Sequence, residues 1–362
     1  MQHQSFSFSQ NAWRRLTKNK GAMLGLVIIF IAVLTGIFAY FIANDSTPNA
    51  DRQIVEIQAK KPGYTKTFIR IKKEKNIPST SFFKSLLYGK EDAFNLIPIN
   101  SYQIKNDSVV VQKFIDDGVE ERRSFATFDL AENYLVIKTF WLGTDQFGRD
   151  ILSRIIVGVR VSLAVGLITV LISLSIGVLL GAIAGYFRGK VDNIIMWLIN
   201  VIWSIPTLLL VFGITLALGK GFWQIFIAVG LTMWVSVARL IRGQVIALRE
   251  MEYIQAAKAL GINDIRIIVR HILPNVMGPV IVIAASNFAT AIIIEAGLSF
   301  LGVGVQPPQP SWGLTIKENY NFIITHNPML ALAPGIAIMI LVLAFNLLGN
   351  GLRDALDVRG KI

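Results

Sequence analysis

Few side chains in this 362-residue sequence are spaced to do chemistry on a substrate. The three histidines, His3, His271 and His326, are far apart, and no H-E-x-x-H pattern occurs, so nothing assembles a histidine metal site. There is no cysteine, which excludes disulfides, thiolate metal ligands and a cysteine nucleophile. No G-x-x-x-x-G-K-[ST] stretch is present, so the chain lacks that way of cradling nucleotide phosphates. One carboxylate stands out by its setting. Glu295 follows the apolar run Ile292-Ile293-Ile294. An ionisable group in such a run faces a bundle interior or an aqueous cavity, because lipid cannot solvate it. It could line a solute path and meet an amine, pair with a neighbour, or hydrogen-bond locally near an interface; all three readings stay open. Asn200, Asn287 and Asn346 lie in similar surroundings and read as hydrogen-bonding groups between helices.

The elements that must position these residues are membrane spans. Hydrophobic residues make up 53% of the chain and charged ones 16%, with a mean hydropathy of +0.56. A soluble domain is roughly a quarter charged. The apolar residues concentrate in six runs, Ala22–Ala43, Val161–Tyr186, Ile194–Leu218, Phe222–Leu240, Val276–Phe300 and Leu330–Leu348. Each is near the ~20 residues that a helix needs to cross the hydrocarbon core. The first reads as an anchor rather than a cleaved signal, which would have a shorter apolar stretch ending in small residues. Six spans put both termini on one side. Arg14, Arg15, Lys18, Lys20, Arg188, Lys190, Arg239, Arg242, Arg249, Lys258, Arg266, Arg270, Arg353, Arg359 and Lys361 then share that side, against Lys220 and Lys317 in the short loops opposite. That asymmetry makes the first side cytoplasmic. The net charge of +12 therefore serves topology and anionic headgroups, and no nucleic-acid partner is expected. Ser204-Ile205-Pro206 is expected to kink the third span, and Gly177, Gly181 and Gly185 form a small-residue face for close helix packing.

Residues 44–140 carry no span. The linker Asn44–Asn49 leads into stretches rich in β-branched residues, Gln53–Gln58, Thr65–Ile71, Tyr102–Ile104, Val109–Phe114 and Tyr134–Thr139, with turns at Asn106-Asp107 and Asp116-Asp117-Gly118. The expectation is a small extracytoplasmic β-containing domain, either a spacer or a docking surface. It ends in Gly143-Thr144-Asp145-Gln146-Phe147-Gly148-Arg149-Asp150. Thr144 or Asp145 is expected to cap a helix. That helix would carry Ile151, Leu152, Ile155, Ile156 and Val159 on one face and Arg149, Ser153 and Arg154 on the other, lying at the interface before the second span.

The loop at 242–275 is too polar to span and too patterned for coil. Gln244–Leu260 reads as one helix, stopped by Gly261. Asn263 caps a second helix, with Asp264 at its positive end. Ile265, Ile268, Val269 and Ile272 mark its apolar face, and Leu273-Pro274 closes it. The result is a compact knob whose apolar face needs the bundle or a partner. His271 reads as a surface residue.

Gln255-Ala256-Ala257, Gly261 three residues on, and Leu273-Pro274 resemble the loop signature of ABC-importer permease subunits. Two positions depart from it: Gln255 replaces an acidic residue and His271 an aliphatic one. Leu142-Gly143-Thr144-Asp145 with Gly148-Arg149-Asp150, and Glu295-Ala296-Gly297-Leu298-Ser299-Phe300-Leu301-Gly302 with Gln306-Pro307-Pro308 and Ser311-Trp312-Gly313, narrow the resemblance to the dipeptide/oligopeptide group. It covers 1–43 loosely and 141–362 closely. It implies an all-α polytopic membrane protein with the type I ABC-importer fold in a bacterial inner membrane. The divisions are then an N-terminus with its first helix (1–43), the insert (44–140) and a five-helix core (141–362). The implied mechanism is alternating access. Tyr253, Gln255, Ala256, Ala257, Gly261, Leu273 and Pro274 would form the ATPase-docking loop. The implied partners are ABC ATPase subunits that bind the ATP, a second homologous permease chain and an extracytoplasmic solute-binding protein. The chain itself would hold no cofactor or metal and would not be an enzyme. Di- or oligopeptides are the implied cargo, with another small solute such as a nickel complex as the alternative. An ion-coupled secondary transporter would instead show paired intramembrane charges and inverted repeats, and neither is seen.

Overall fold

The computed structural model describes residues 8–73, 81–324 and 327–356. His3, His326, Arg359 and Lys361 fall outside them. Along the chain come α1 (Phe8–Lys18), α2 (Lys20–Ile37) and α3 (Ala39–Ile42), then β1 (Tyr64–Lys72), α4 (Phe82–Tyr88), β2 (Phe94–Lys105), β3 (Ser108–Asp116), β4 (Val119–Ala126) and β5 (Leu130–Phe140). The helices α5 (Ile151–Phe187), α6 (Gly189–Trp203), α7 (Thr207–Leu218), α8 (Phe222–Arg249), α9 (Glu252–Ala259), α10 (Asp264–Ile267), α11 (Leu273–Phe300), α12 (Trp312–Asn319) and α13 (Met329–Leu356) follow. Among the described residues, five helices are long and apolar enough to cross a membrane. They are α2, α5, α8, the continuous stretch Asp264–Phe300 and α13. The expected third span is instead α6 and α7, bent by 91°, and it makes a sixth only if the pair is counted as one. The bend falls at Ser204-Ile205-Pro206, where Pro206 has no N–H to continue the ladder.

The chain forms two compact units. The first takes the described parts of Met1–Ala32, Ser162–Val305 and Ile338–Ile362; the second takes Val33–Val161 and Gln306–Ala337. The sheet thus shares its unit with helix ends and with residues 306–337, a division the linear reading at 44–140 does not contain.

In the first unit, α5 and α8 touch backbone to backbone. A Cβ added to Gly177, Gly181 or Gly185 would lie 2.7, 2.5 and 2.7 Å from the carbonyl oxygens of Trp234, Ala238 and Arg242. The expected small-residue face therefore packs as read, one helical turn per contact. Asn200 also bridges helices, its Oδ1 accepting from Arg239 Nη2 at 3.1 Å. Asn346 is exposed.

The second unit holds an antiparallel sheet in the order β4-β3-β2-β1-β5. Phe68 and Ile69 leave β1 on opposite faces and both are fully buried, each in its own apolar cluster. Four of the expected stretches lie in strands, and Asn106 (φ 47°) and Gly118 (φ 85°) sit in the expected turns. Three features differ. Gln53–Gln58 contains a 3-10 turn, Val55–Ile57, whose Ile57 plugs the sheet alongside Ile54. β4 (Val-Glu-Glu-Arg-Arg-Ser-Phe-Ala) is an edge strand, and its charges hide the alternation. β2 runs far beyond Tyr102–Ile104. It contains Pro98, at a point where it pairs with β1 alone.

The Gly143–Asp150 stretch also differs. Neither Thr144 nor Asp145 caps α5. Asp150 does, its Oδ2 accepting from Ser153 N at 3.3 Å. Thr144 Oγ1 donates to the Ile57 carbonyl and accepts from Lys60 N. Gly148 has φ 73°, and a Cβ there would lie 1.8 Å from the Ile54 carbonyl oxygen, so only glycine fits. The expected polar face of a surface helix is buried, and α5 continues unbroken into the span. Arg149 is 2% and Arg154 0% exposed. Arg149 bonds Asp145 (2.6 Å), Asp51 (3.1 Å) and Glu318 (2.6 Å). Arg154 reaches Glu318 at 3.4 Å and Asp51 at 3.6 Å. Burial pulls the Arg149 guanidinium down, but Asp145 and Glu318 outweigh it and hold it above its ordinary value. Charges this deep persist only when paired.

Candidate functional site

The site is the knob that follows α8. The expected single helix Gln244–Leu260 is two: α8 ends at Arg249, the chain turns at Glu250-Met251, and α9 begins at Glu252. Met251 is extended (φ −71°, ψ 140°), so the helical ladder is interrupted. α9 is pinned by one edge. Ile254 (1% exposed) and Ala257 (7%) sit in an apolar cluster with Val237, Ile241 and Val245 of α8, Ala182 and Tyr186 of α5, and Ile267, Ile272, Val276 and Val280. Burying such side chains stabilises by about 1.5–3 kcal/mol for each large one, which makes α9 a rigid mount and not a loose loop.

Gly261 stops α9 with φ +75°, in the left-handed region. Asn263 Oδ1 accepts from Ile265 N at 2.9 Å, capping α10 as expected. Asp264 has a further task, because Tyr186 Oη donates to its Oδ1 at 2.5 Å. The expected apolar face of the second helix differs. Ile265 and Val269 are exposed, while Ile267 and Ile272 are fully buried. The reason is a π-helical stretch, Ile268–Ile272, whose wider turn brings residues five apart onto one face. Leu273-Pro274 closes nothing. Pro274 lies where the π-helical stretch passes into α11, and the helix runs on to Phe300.

The face of the knob that is left over is apolar and exposed: Met251, Tyr253, Leu260 and Ile265, with Leu260 80% exposed. Gln255 and Ala256 lie on the same exposed side, Gln255 donating from Nε2 to the Arg249 carbonyl at 2.9 Å. Tyr253 Oη accepts from Asn275 Nδ2 at 3.5 Å. Pro274 is exposed, Leu273 half-buried and Ala257 buried. The structure therefore brings Tyr253, Gln255, Ala256 and Gly261 together on one surface, with Ala257 and Leu273 beneath it as mount. His271 is half-buried.

Glu295 is 0% exposed, and Ser299 Oγ donates to its Oε1 at 2.7 Å. Ser299 Oγ in turn accepts from Val305 N at 3.0 Å, so Glu295 braces the turn that ends α11. One of the cavities in this unit passes the residue next to Glu295. It measures about 260 Å³ at the α6–α7 bend and is lined by Trp203, Thr207, Thr232, Ser236, Asn287 and Thr290, among others. Ile294 lines it and Glu295 does not. Among the described residues, no hydrogen bond joins Asn287 Nδ2 to another helix. Asn287 is 6% exposed and its Nδ2 has no hydrogen-bond partner. Arg239 stacks on Trp203 at 3.6 Å. Sequence reasoning missed this cavity, since its residues come from four helices and share no spacing.

Residues 177–361, which contain the whole knob, match the family described as the binding-protein-dependent transport system inner membrane component. The chain belongs to this family. Residues 7–62 match the N-terminal TM domain of oligopeptide transport permease C. The glutathione transport system permease protein GsiD of Pectobacterium atrosepticum is 43% identical over 221 residues, 61% of this chain and 73% of that protein. The dipeptide transport system permease protein DppC of Alkalihalophilus pseudofirmus is 45% identical over 221 residues, 61% of this chain and 72% of that protein. An inward-facing MetNI methionine ABC transporter structure superposes with a TM-score of 0.48 at 19% identity, over 57% of this chain and 98% of that one. By its family and its permease relatives, this chain is a multi-pass inner-membrane subunit of an ABC importer. Its sheet strands, Tyr64 to Phe140, lie outside both matched stretches.

Proposed function

We propose that this permease moves di- or oligopeptides by alternating access, and that the knob around Tyr253 to Gly261 is where an ATPase subunit docks. The observation that carries this is the mount. α9 is locked by Ile254 and Ala257 while Met251, Tyr253 and Leu260 are left bare. A rigid helix with an unsatisfied apolar face transmits a push, and a flexible loop would absorb it. ATP stays on the partner, and this chain supplies no cofactor. The bent α6–α7 pair counts as one span of six, with both termini and the knob cytoplasmic by the distribution of Lys and Arg. The sheet is then extracytoplasmic, where it is placed to receive the solute-binding protein. A second, homologous permease chain completes the path, in a type I arrangement. Glu295 meets that path only when the end of α11 rearranges, because its carboxyl is buried on Ser299. The names of the relatives, dipeptide and glutathione transport permeases, support a short peptide as cargo.

The test is co-purification from mild detergent of the tagged chain, wild type against Leu260→Asp and Gly261→Trp. Leu260 is 80% exposed, so Leu260→Asp leaves the core untouched; Gly261→Trp meets no atom within 4 Å of its Cβ but strains the left-handed corner at φ +75°, so Leu260→Asp is the deciding variant. A P-loop ATPase and a second permease that elute with wild type, the ATPase alone being lost from both variants, support the reading. Retention of the ATPase by both variants removes the knob as its docking site.

A further inference from the structure

The unit that holds the sheet carries an apolar surface that its own fold does not cover. α4 presents Phe82, Phe83, Leu87 and Tyr88, which are 61%, 73%, 54% and 66% exposed. Four large apolar residues bare on seven positions is far from the scattered pattern of an ordinary surface. The helix is not loose. Ser85 is buried, and Lys90 N donates to the Ser46 carbonyl at 2.9 Å. A Cβ at Gly89 would lie 2.7 Å from that same oxygen, and Arg160 Nη1 donates to the Leu87 carbonyl at 2.8 Å. The exposed face is therefore held in place.

What covers it follows from its neighbours. Phe82 packs on Phe41 with ring centroids 5.5 Å apart. Phe41 belongs to α3, which continues the first span, and Phe38, Phe41 and Ile42 are themselves 45%, 48% and 55% exposed. The bare face of α4 is thus continuous with the exposed apolar residues that directly follow the first span. Its composition is that of a membrane–water interface, with aromatic rings on the apolar side and Lys84 and Lys90 exposed beside them. Lysine stems can lie along apolar surface while their ammonium groups reach phosphate. We propose that α4 is an interfacial anchor, inserting Phe82, Phe83 and Leu87 into the leaflet in which the first span ends. It would thereby tie the sheet to the bilayer surface. The rings would sit about 5–10 Å into the headgroup–acyl boundary.

The chain has no cysteine, so a single engineered one reports one site. Phe83→Cys, carrying a nitroxide in the full-length permease in phospholipid nanodiscs, is read for collisions with oxygen, which partitions into lipid, and with a neutral nickel chelate, which stays in water. Phe30→Cys in α2 is the lipid reference. Glu121→Cys on the charged edge strand is the water reference. The expected result is oxygen exceeding the chelate at position 83 as at position 30, with the ratio reversed at 121. Leu87→Cys must give the same answer, which guards against local damage at 83. A chelate-rich signal at 83 and 87 overturns the anchor. So does a signal shielded from both reagents, which would mean that a protein partner and not lipid covers the face.

Discussion

Replacing Gly181 with alanine should loosen the contact that carries the knob. The added methyl would sit 2.5 Å from the Ala238 carbonyl oxygen and 3.0 Å from its Cα, so α5 and α8 must part by about 0.9 Å to restore an ordinary 3.4 Å contact. The obstacle is backbone, which cannot rotate away. Overpacking of this kind costs about 1–3 kcal/mol. Alanine in a helix recovers about 0.8–1 kcal/mol over glycine, so the two effects partly offset. Gly243→Ala separates them. Gly243 lies inside α8 with nothing within 4 Å of a Cβ, so the propensity gain acts there alone. The difference between the two variants then reads the overpacking, about 1–3 kcal/mol with Gly181→Ala the weaker. Unfolding in mixed SDS micelles measures it. Val237, Ile241 and Val245 belong both to this stretch of α8 and to the core under α9. ATPase activity stimulated by the assembled permease should therefore fall with Gly181→Ala and not with Gly243→Ala. A Gly181→Ala protein as stable as Gly243→Ala refutes the close-contact argument.

Glu318→Gln removes the carboxylate that reaches both Arg149 and Arg154 and leaves Arg154 with Asp51 at 3.6 Å. A loss of about 2 kcal/mol is expected, seen as faster amide exchange over Ser311–Asn319; unchanged exchange would show the cluster to be dispensable. Tyr186→Phe deletes the hydrogen bond to Asp264 and should cost about 1–2 kcal/mol. Exchange would rise in the Asn263–Ile272 segment while α8 keeps its protection. Asn287→Leu should leave stability level or raised, because its Nδ2 has no partner to lose. Transport should fall although the fold is intact, and a drop in stability of about 1 kcal/mol would instead mean that Asn287 bonds another helix.

The apolar runs, the bend at Pro206, the small-residue face of α5 and the turns at Asn106 and Gly118 were all legible in the sequence. So was membership of the permease family, through the 255–274 signature. Each of these depends on a residue's own transfer energy, backbone freedom or immediate neighbours, which local order records. The knob was only half legible. Gly261 and Asn263 announced its corner, but the break at Met251 and the π-helical stretch did not show, since both depend on how α9 and α11 share one buried cluster.

Other features were decided by tertiary structure alone. Arg149 and Arg154 read as the polar face of a surface helix because their spacing suits one. They are buried because Asp51 and Glu318, from 98 to 169 positions away, neutralise them. Glu295 left a solute path, a paired neighbour and a local hydrogen bond all open, and the folded chain shows it holding Ser299 and the turn after it. The charged strand β4 exists because β3 offers it a ladder. Sequence by itself determined which segments leave water and which family's joints connect them. Where a polar group must find its counterpart across the chain, only the folded contacts could decide, because the energy lies in the pair and neither residue carries it alone.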